Sequence, residues 1–298
     1  VRPPRPGGAV RLTIDLDLQE IAEAALLEAV ERTGAHGGDL IVVDPATGEV
    51  LALVSSRDGH TDALGAINAP YEPGSTFKPF TMAALLHHRL AKLSDTVDAE
   101  GGRWIAPDGR PLDDIVARDS ITLAEALRFS SNVGMAKAAL RLSPAQQYQA
   151  LRDFGFGVET GIPLPGEVAG TLRRPDRWTE RSPVSLAIGY EVAVTPLQMA
   201  MAYAALANGG RLMEPRLVRE VRDGSGRAVE SGAPRAVRQV VTPSVTRQLG
   251  DVLVDVVEAG TGTAARLETF RVAGKSGTSR AYVAGAGYTA GRYFSSFA

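Results

Sequence analysis

Glu72-Pro-Gly-Ser-Thr-Phe-Lys-Pro-Phe80 is the stretch around which the chain is organised. Gly74 stands just before Ser75, and an apolar, alanine-rich run follows to about Leu90. This pattern predicts a turn that delivers Ser75 to the first turn of a helix, with Pro79 where proline is tolerated. Ser75 and Lys78 are three apart and share a helix face. Backbone N–H groups at a helix start point at whatever the serine bonds, and the dipole there favours developing negative charge. An amine one turn on can take the serine proton if burial or a neighbouring cation lowers its pKa. Ser-x-x-Lys alone is weak, because a chain of this size holds one by chance roughly every second time. Most such pairs are a solvated serine and a solvated lysine.

Composition narrows the field. The chain has 298 residues, 44% hydrophobic and 22% charged, enough apolar material for a sizeable core. Its net charge of −2 gives no electrostatic case for nucleic acid. With no cysteine, disulfides, thiolate zinc sites and cysteine nucleophiles are all excluded. Carboxylates and histidines do not fall at metal spacing, so neither metal nor cofactor is expected. No apolar run is long enough to span a bilayer. The sequence opens on Val1 and stops at Ala298 inside an expected strand, so a fragment cut at both ends is expected.

Residues 1–10 are Pro-, Gly- and Arg-rich and are expected as linker, with one domain over 11–298. Leu18, Ile21, Ala22, Ala25, Leu26 and Ala29 fall at helical spacing, with Asp15 or Asp17 as N-cap and Gly34 as terminator. Leu40–Val43 and Val50–Val54, joined by a Pro/Gly turn, predict a hairpin buried on both faces. Helices are expected over Thr122–Phe129 and Val133–Leu142, with Ser130-Ser-Asn132 in the break. Others are expected to open at Ser143, Thr195 and Thr242. Leu217–Val221 and Ala236–Val241 suggest a second hairpin, and Phe270–Ala273 a strand running into Lys275-Ser-Gly-Thr278. A last strand is expected over Tyr288–Phe297. The order predicts an α+β domain whose antiparallel sheet, flanked by helices, is assembled from both ends of the chain.

Three short motifs occur in order: Ser75-x-x-Lys78, Ser130-x-Asn132 and Lys275-Ser-Gly-Thr278. Each has a chemical reason. Ser75 attacks a carbonyl, and Lys78, if deprotonated beside the positive charge of Lys275, is its base. Ser130 can relay a proton to a leaving amine, and Asn132 can hold Lys78 and a bound peptide. Ser276 and Thr278 offer hydroxyls to a substrate carboxylate, and Gly277 lets the strand backbone approach closely. The backbone N–H groups of Ser75 and Thr278 can form an oxyanion hole. Singly each motif has a bland explanation: Ser-x-Asn is common at helix caps and Lys-Ser-Gly-Thr in surface turns. All three in order, the first at a helix start and the last on a strand, are far rarer.

With these motifs the chain resembles the transpeptidase domain of class B penicillin-binding proteins, of the division and elongation type. The likeness extends to Leu12-Thr-Ile-Asp-Leu-Asp-Leu-Gln19, Val43-Asp-Pro-Ala-Thr-Gly-Glu-Val-Leu-Ala52, Gly161-Ile-Pro-Leu-Pro-Gly166, Val194-Thr-Pro-Leu-Gln-Met199, Ala207-Asn-Gly-Gly210 and Gly260-Thr-Gly-Thr-Ala264. The resemblance implies a serine β-lactamase/penicillin-binding-protein transpeptidase-like fold acting on peptidoglycan stem peptides and acylated by β-lactams. It also implies a membrane anchor, a glycosyltransferase partner and a place on the outer face of the bacterial cytoplasmic membrane. Two departures stand out. The segment between Val54 and Tyr71 looks short, and the last strand and C-terminal helix of the family are missing after Phe297. An incomplete, sticky sheet edge is therefore expected, and two-state melting of the piece would contradict it.

A D-alanyl-D-alanine carboxypeptidase or a β-lactamase is the nearest alternative. No Glu-x-x-Leu-Asn pattern follows the second motif, although Glu159, Glu167 and Glu180 lie in the right region. A non-catalytic β-lactam sensor is a further alternative, which intact motifs disfavour. His87 and His88 are expected at the far, exposed end of the Ser75 helix, too distant to serve as its base.

Overall fold

A computed structural model describes residues 7–61, 64–283 and 287–298. The first long helix, Leu16–Thr33, has the Asp15 carboxylate accepting from the Leu18 N–H and ends on Gly34 at φ 64°. Its buried face is Ala22 and Leu26, joined by Leu18 and Val30; Ile21, expected inward, is exposed. That face packs on a hairpin of Gly37–Val43 and Val50–Arg57, through Ala52 and Val54. Ile41, Val43 and Leu53 of the same hairpin face the main core, so both its faces are covered.

The main core is built on the helix Lys78–His87, whose residues from Lys78 to Leu86 are all buried. Phe77 and Phe80 meet each other at a ring separation of 5.6 Å, and meet Phe154, Phe156 and Tyr203 at 4.8 to 5.2 Å. Around it stand the helices Leu123–Arg128, Asn132–Ala139, Pro144–Asp153, Pro196–Ala207 and Pro243–Ala259. Proline opens the last three at a position where its missing N–H costs nothing. Ser143 and Thr195 cap the first two of those three reciprocally with Gln146 and Gln198. Among the described residues no helix is long and apolar enough to cross a membrane.

Several expectations change in detail. Ala9 and Val10, expected as linker, lie in a strand Ala9–Leu12 that pairs with Val218–Arg222. The second hairpin has different partners. Val218–Arg222 turns at Asp223 and pairs with Ala228–Ser231, while Ala236–Gln239 pairs with Arg211–Met213. The Asp223 carboxylate accepts from the Ser225 and Arg227 N–H groups, and this tight turn brings the nearer segment back first. Phe270–Ala273 forms no strand; Phe270 is exposed, and the strand begins at Ser276. That strand, Ser276–Val283, pairs antiparallel with Gly287–Phe297. The one sheet expected from both ends of the chain is thus two separate two-stranded ladders. Among the described residues these two ladders do not pair with each other. Part of the segment between Val54 and Tyr71, residues 62–63, and residues 1–6 of the expected linker lie outside the described residues.

Candidate active site

Ser75 lies in a short 3-10 turn, Gly74–Phe77, that runs directly into the helix Lys78–His87. In 3-10 geometry residues i and i+3 eclipse, so Ser75 and Lys78 align. The turn is pinned from several sides. The Gly74 N–H donates to the Gly189 carbonyl at 3.0 Å. Gly74 has φ 56° and Gly189 φ 81°, and a Cβ at Gly189 would fall 2.1 Å from the Gly74 carbonyl oxygen. Two glycines are required here because the backbones cross at contact distance. Tyr203 donates its hydroxyl to the Thr76 carbonyl at 2.7 Å, and Ser279 donates to the Glu72 carbonyl.

The strand Ser276–Val283 lies against this turn. A Cβ at Gly277 would come within 2.9 Å of the Thr76 nitrogen and 3.0 Å of the Pro73 carbonyl, so only glycine permits the approach. The ladder also fixes where the strand's N–H groups point. Lys275 and Ala298 exchange both backbone bonds, which makes them a hydrogen-bonded pair. The pattern alternates, so Thr278, opposite Ser295, directs its N–H and C=O away from the partner strand. That edge faces the Gly74–Phe77 turn, and the Thr278 carbonyl oxygen lies 3.1 Å from where a Gly74 Cβ would be. Ser276 and Thr278 keep accessible side chains, while Lys275 and Gly277 point inward.

Ser130 is set by the end of the helix Leu123–Arg128. The Ser130 N–H donates to the Leu127 carbonyl and the Ser131 N–H to the Ala126 carbonyl, the paired bonds of a left-handed C-terminal cap. Ser130 itself has φ 60°, a position that glycine normally takes. Holding a serine there costs on the order of 1–3 kcal/mol, and it aims both the carbonyl and the hydroxyl of Ser130 at Lys78. The next helix starts at once, with Ser131 as N-cap and Asn132 as first residue.

Four sequence-predicted residues meet through side-chain hydrogen bonds. The Lys78 amine, with no solvent exposure, donates to the Ser130 carbonyl at 2.6 Å and to Asn132 Oδ1 at 2.8 Å, and lies 3.2 Å from Ser130 Oγ. Lys275 Nζ donates to the Ser276 carbonyl at 2.9 Å and Ser130 Oγ at 3.0 Å, with Thr261 Oγ1 at 3.4 Å. Burial, then the Lys275 ammonium beside it, pushes the Lys78 pKa well below the ordinary lysine range, and Asp114 works against them. Burial lowers that of Lys275 to about 8. Each amine has three oxygen neighbours within hydrogen-bond distance. With Lys78 neutral and Lys275 charged, Ser130 Oγ can accept from Lys275 and give its proton to the lone pair of Lys78.

Sequence reading missed two contributors. Asp114, inside the polar stretch 94–120 where no period is visible, accepts from Ser131 Oγ at 2.6 Å and from the N–H groups of Asn132 and Val133. Thr261, in the Gly260-Thr-Gly-Thr turn, accepts from Ser276 Oγ as well as approaching Lys275; only the likeness of that run hinted at it. The candidate glutamates stand elsewhere. Glu167 accepts from the Thr160 N–H and hydroxyl and from the Gly161 N–H, and Glu159 and Glu180 are exposed. His87 and His88 are exposed at the far helix end.

Ser130→Gly separates the two uses of this residue. It relieves the left-handed strain, so the melting temperature is expected not to fall, while an expected drop of about 10²-fold in acylation by a penicillin would identify the Ser130 hydroxyl as a proton relay. Thermal melts and acylation rates on one preparation check both halves.

Comparison with known proteins gives a consistent set. The family described as the penicillin binding protein transpeptidase domain matches residues 38–298. A Pseudomonas aeruginosa protein described as probable peptidoglycan D,D-transpeptidase PbpC is 34% identical over 308 residues, covering 100% of this chain and 52% of its own length. Stage V sporulation protein D of Bacillus subtilis is 32% identical over 93% of this chain and 45% of its own length. The chain thus spans about half the length of these relatives. Among solved structures, penicillin-binding protein 3 from Mycobacterium tuberculosis in complex with aztreonam superposes with a TM-score of 0.91 at 29% identity, over 100% of this chain and 70% of that one. The transpeptidase domain of penicillin-binding protein 3 from Burkholderia pseudomallei gives 0.86 at 30% identity, over 96% of this chain and 82% of that one.

Proposed function

Because this chain belongs to the penicillin-binding-protein transpeptidase family, we propose that it is a serine-type peptidoglycan D,D-transpeptidase whose nucleophile is Ser75. The observation that carries the reading is the bridge from Lys275 through Ser130 Oγ to Lys78, one turn from Ser75 and beside the strand of Thr278. Ser75 Oγ attacks the carbonyl of the penultimate D-alanine of a stem peptide as its proton passes to Lys78. The oxyanion is held by the backbone N–H groups of Ser75 and Thr278. The C–N bond to the terminal D-alanine then breaks, and the leaving amine takes a proton from Ser130, which is resupplied from Lys78. An amine of a second stem peptide attacks the ester, loses its proton along the same path in reverse, and frees Ser75 as the cross-link forms. Ser276 and Thr278 bind the substrate's terminal carboxylate with Lys275 behind them, and Asn132 orients the peptide.

β-Lactams acylate Ser75 because they present the same carbonyl and carboxylate. The larger protein is proposed to work on the outer face of the bacterial cytoplasmic membrane, held by an anchor and paired with a glycosyltransferase.

Slow loss of the acyl group distinguishes this reading from a β-lactamase. Among the described residues no carboxylate bonds to the Lys78–Ser130–Lys275 group, and no residue is assigned to activate a deacylating water. The penicilloyl adduct is expected to persist for minutes or longer after free penicillin is removed, followed by intact-mass spectrometry. Turnover within seconds would favour the lactamase.

A further inference from the structure

The carboxylate of Asp114 lies under the second motif, and the acyl-transfer reading gives it no task. It comes from the loop after the strand Pro111–Asp113, and its own backbone is fixed by an N–H bond to the Gly102 carbonyl at 2.8 Å. Asp114 Oδ1 accepts from the Asn132 N–H and, at 2.9 Å, from the Val133 N–H; Oδ2 accepts from Ser131 Oγ at 2.6 Å. Ser131 Oγ in turn accepts from the Gly134 N–H at 2.8 Å. The first three N–H groups of this helix are therefore satisfied by one carboxylate and one hydroxyl. The same bonds lock the turn that carries Ser130 and Asn132, the two residues whose oxygens receive Lys78.

Resting on the acyl-transfer reading, we infer that Asp114 is a positioning residue: its carboxylate holds Ser130 and Asn132 onto Lys78 and supplies a negative charge that opposes Lys275 at Lys78. The charged groups that act on Lys78 are Lys275, from the strand side, and Asp114, from the loop side; they oppose each other. Asp113, next along the chain, meets the site only through its carbonyl, which accepts from Asn132 Nδ2, and its carboxylate is paired with Arg103. Asp114 thus sets two properties together. It fixes the backbone from which the Asn132 side chain projects, and it keeps Lys78 from becoming too weak a base to take the Ser75 proton.

A helix cap alone would show only the first property, so two variants separate the roles. Asp114→Asn keeps an acceptor for the Asn132 and Val133 N–H groups and removes the charge. Asp114→Ala removes both. The chain has only four lysines, at 78, 92, 137 and 275, so carbon-13 labelling of lysine side chains lets each titration be followed by NMR. The Lys78 midpoint in Asp114→Asn is expected to move to lower pH than in the parent, and the acid limb of penicillin acylation to move with it. Asp114→Ala is expected to lose about 100-fold in acylation rate through misplacement of Ser130 and Asn132, and Asp114→Asn less than tenfold. An unmoved or raised Lys78 midpoint in Asp114→Asn would overturn the inference, as would parental acylation by Asp114→Ala. If the parent itself is not acylated, the transpeptidase reading fails, and the Lys78 titration still decides the inference.

Discussion

Ser75→Ala is expected to abolish covalent labelling by penicillin, with no adduct by intact mass after hours of exposure, and to melt within a degree or two of the parent. The first half follows from inventory. The alternative hydroxyl in the cleft, Ser130, is bonded on both sides by Lys78 and Lys275 and stands in a strained cap, where it serves as a relay. Thr278, whose side chain is accessible, lies on the strand that the proposed mechanism uses for its backbone N–H, and among the described residues its hydroxyl has no lysine partner, unlike that of Ser130. The second half follows from packing. The Gly74–Phe77 turn is held by Gly189, Tyr203, Ser279 and the close approach of Gly277, none of which uses the Ser75 hydroxyl. A labelled Ser75→Ala variant moves the nucleophile elsewhere.

Lys78→Met is expected to slow acylation by roughly 10³–10⁴-fold at pH 7, the upper range for removal of a positioned base. Methionine fills most of the lysine's volume in the buried helix, so the loss reads the missing amine more than a cavity. It leaves the Ser130 carbonyl and Asn132 Oδ1 without their donor, and a modest drop in melting temperature follows. The pH profile carries a sharper test. On the proposed mechanism, acylation of the parent requires neutral Lys78 and charged Lys275. It rises as Lys78 loses its proton, with an acid limb well below the ordinary lysine range, and falls as pH passes about 8, where Lys275 loses its own. Lys78→Met removes the acid limb and keeps the alkaline one. Loss of the alkaline limb instead would exchange the roles of the two amines.

Much of this site was legible in the sequence because its determinants are local. Gly74 before Ser75 and an apolar run after it predict a turn feeding a helix, and the 3-10 turn Gly74–Phe77 runs into the helix Lys78–His87. Proline and Ser/Thr pairs mark the helix starts at 144, 196 and 243. Strand partners were less legible, because pairing depends on which segment returns first. Ala228–Ser231 wins over Ala236–Gln239 through a carboxylate-bonded turn that the hydrophobic pattern does not encode. Ile21 shares helical spacing with Leu18 and Ala22 but lies off the narrow stripe that meets the hairpin. Asp114 was invisible for a different reason. Its contacts lie 17 to 19 residues ahead, in a stretch with no period, and only the fold brings its carboxylate beneath the second motif.

The central claim is that acyl transfer begins at one hydroxyl. Penicillin-treated protein, cut with trypsin and mapped by mass spectrometry, addresses it directly. Lys78 is followed by proline, which blocks cleavage there, so one peptide spans residues 58–89 and contains both Ser75 and Lys78. The account predicts a penicilloyl mass on that peptide, fragmenting to Ser75. An unmodified peptide, or an adduct mapped to any other residue, contradicts it.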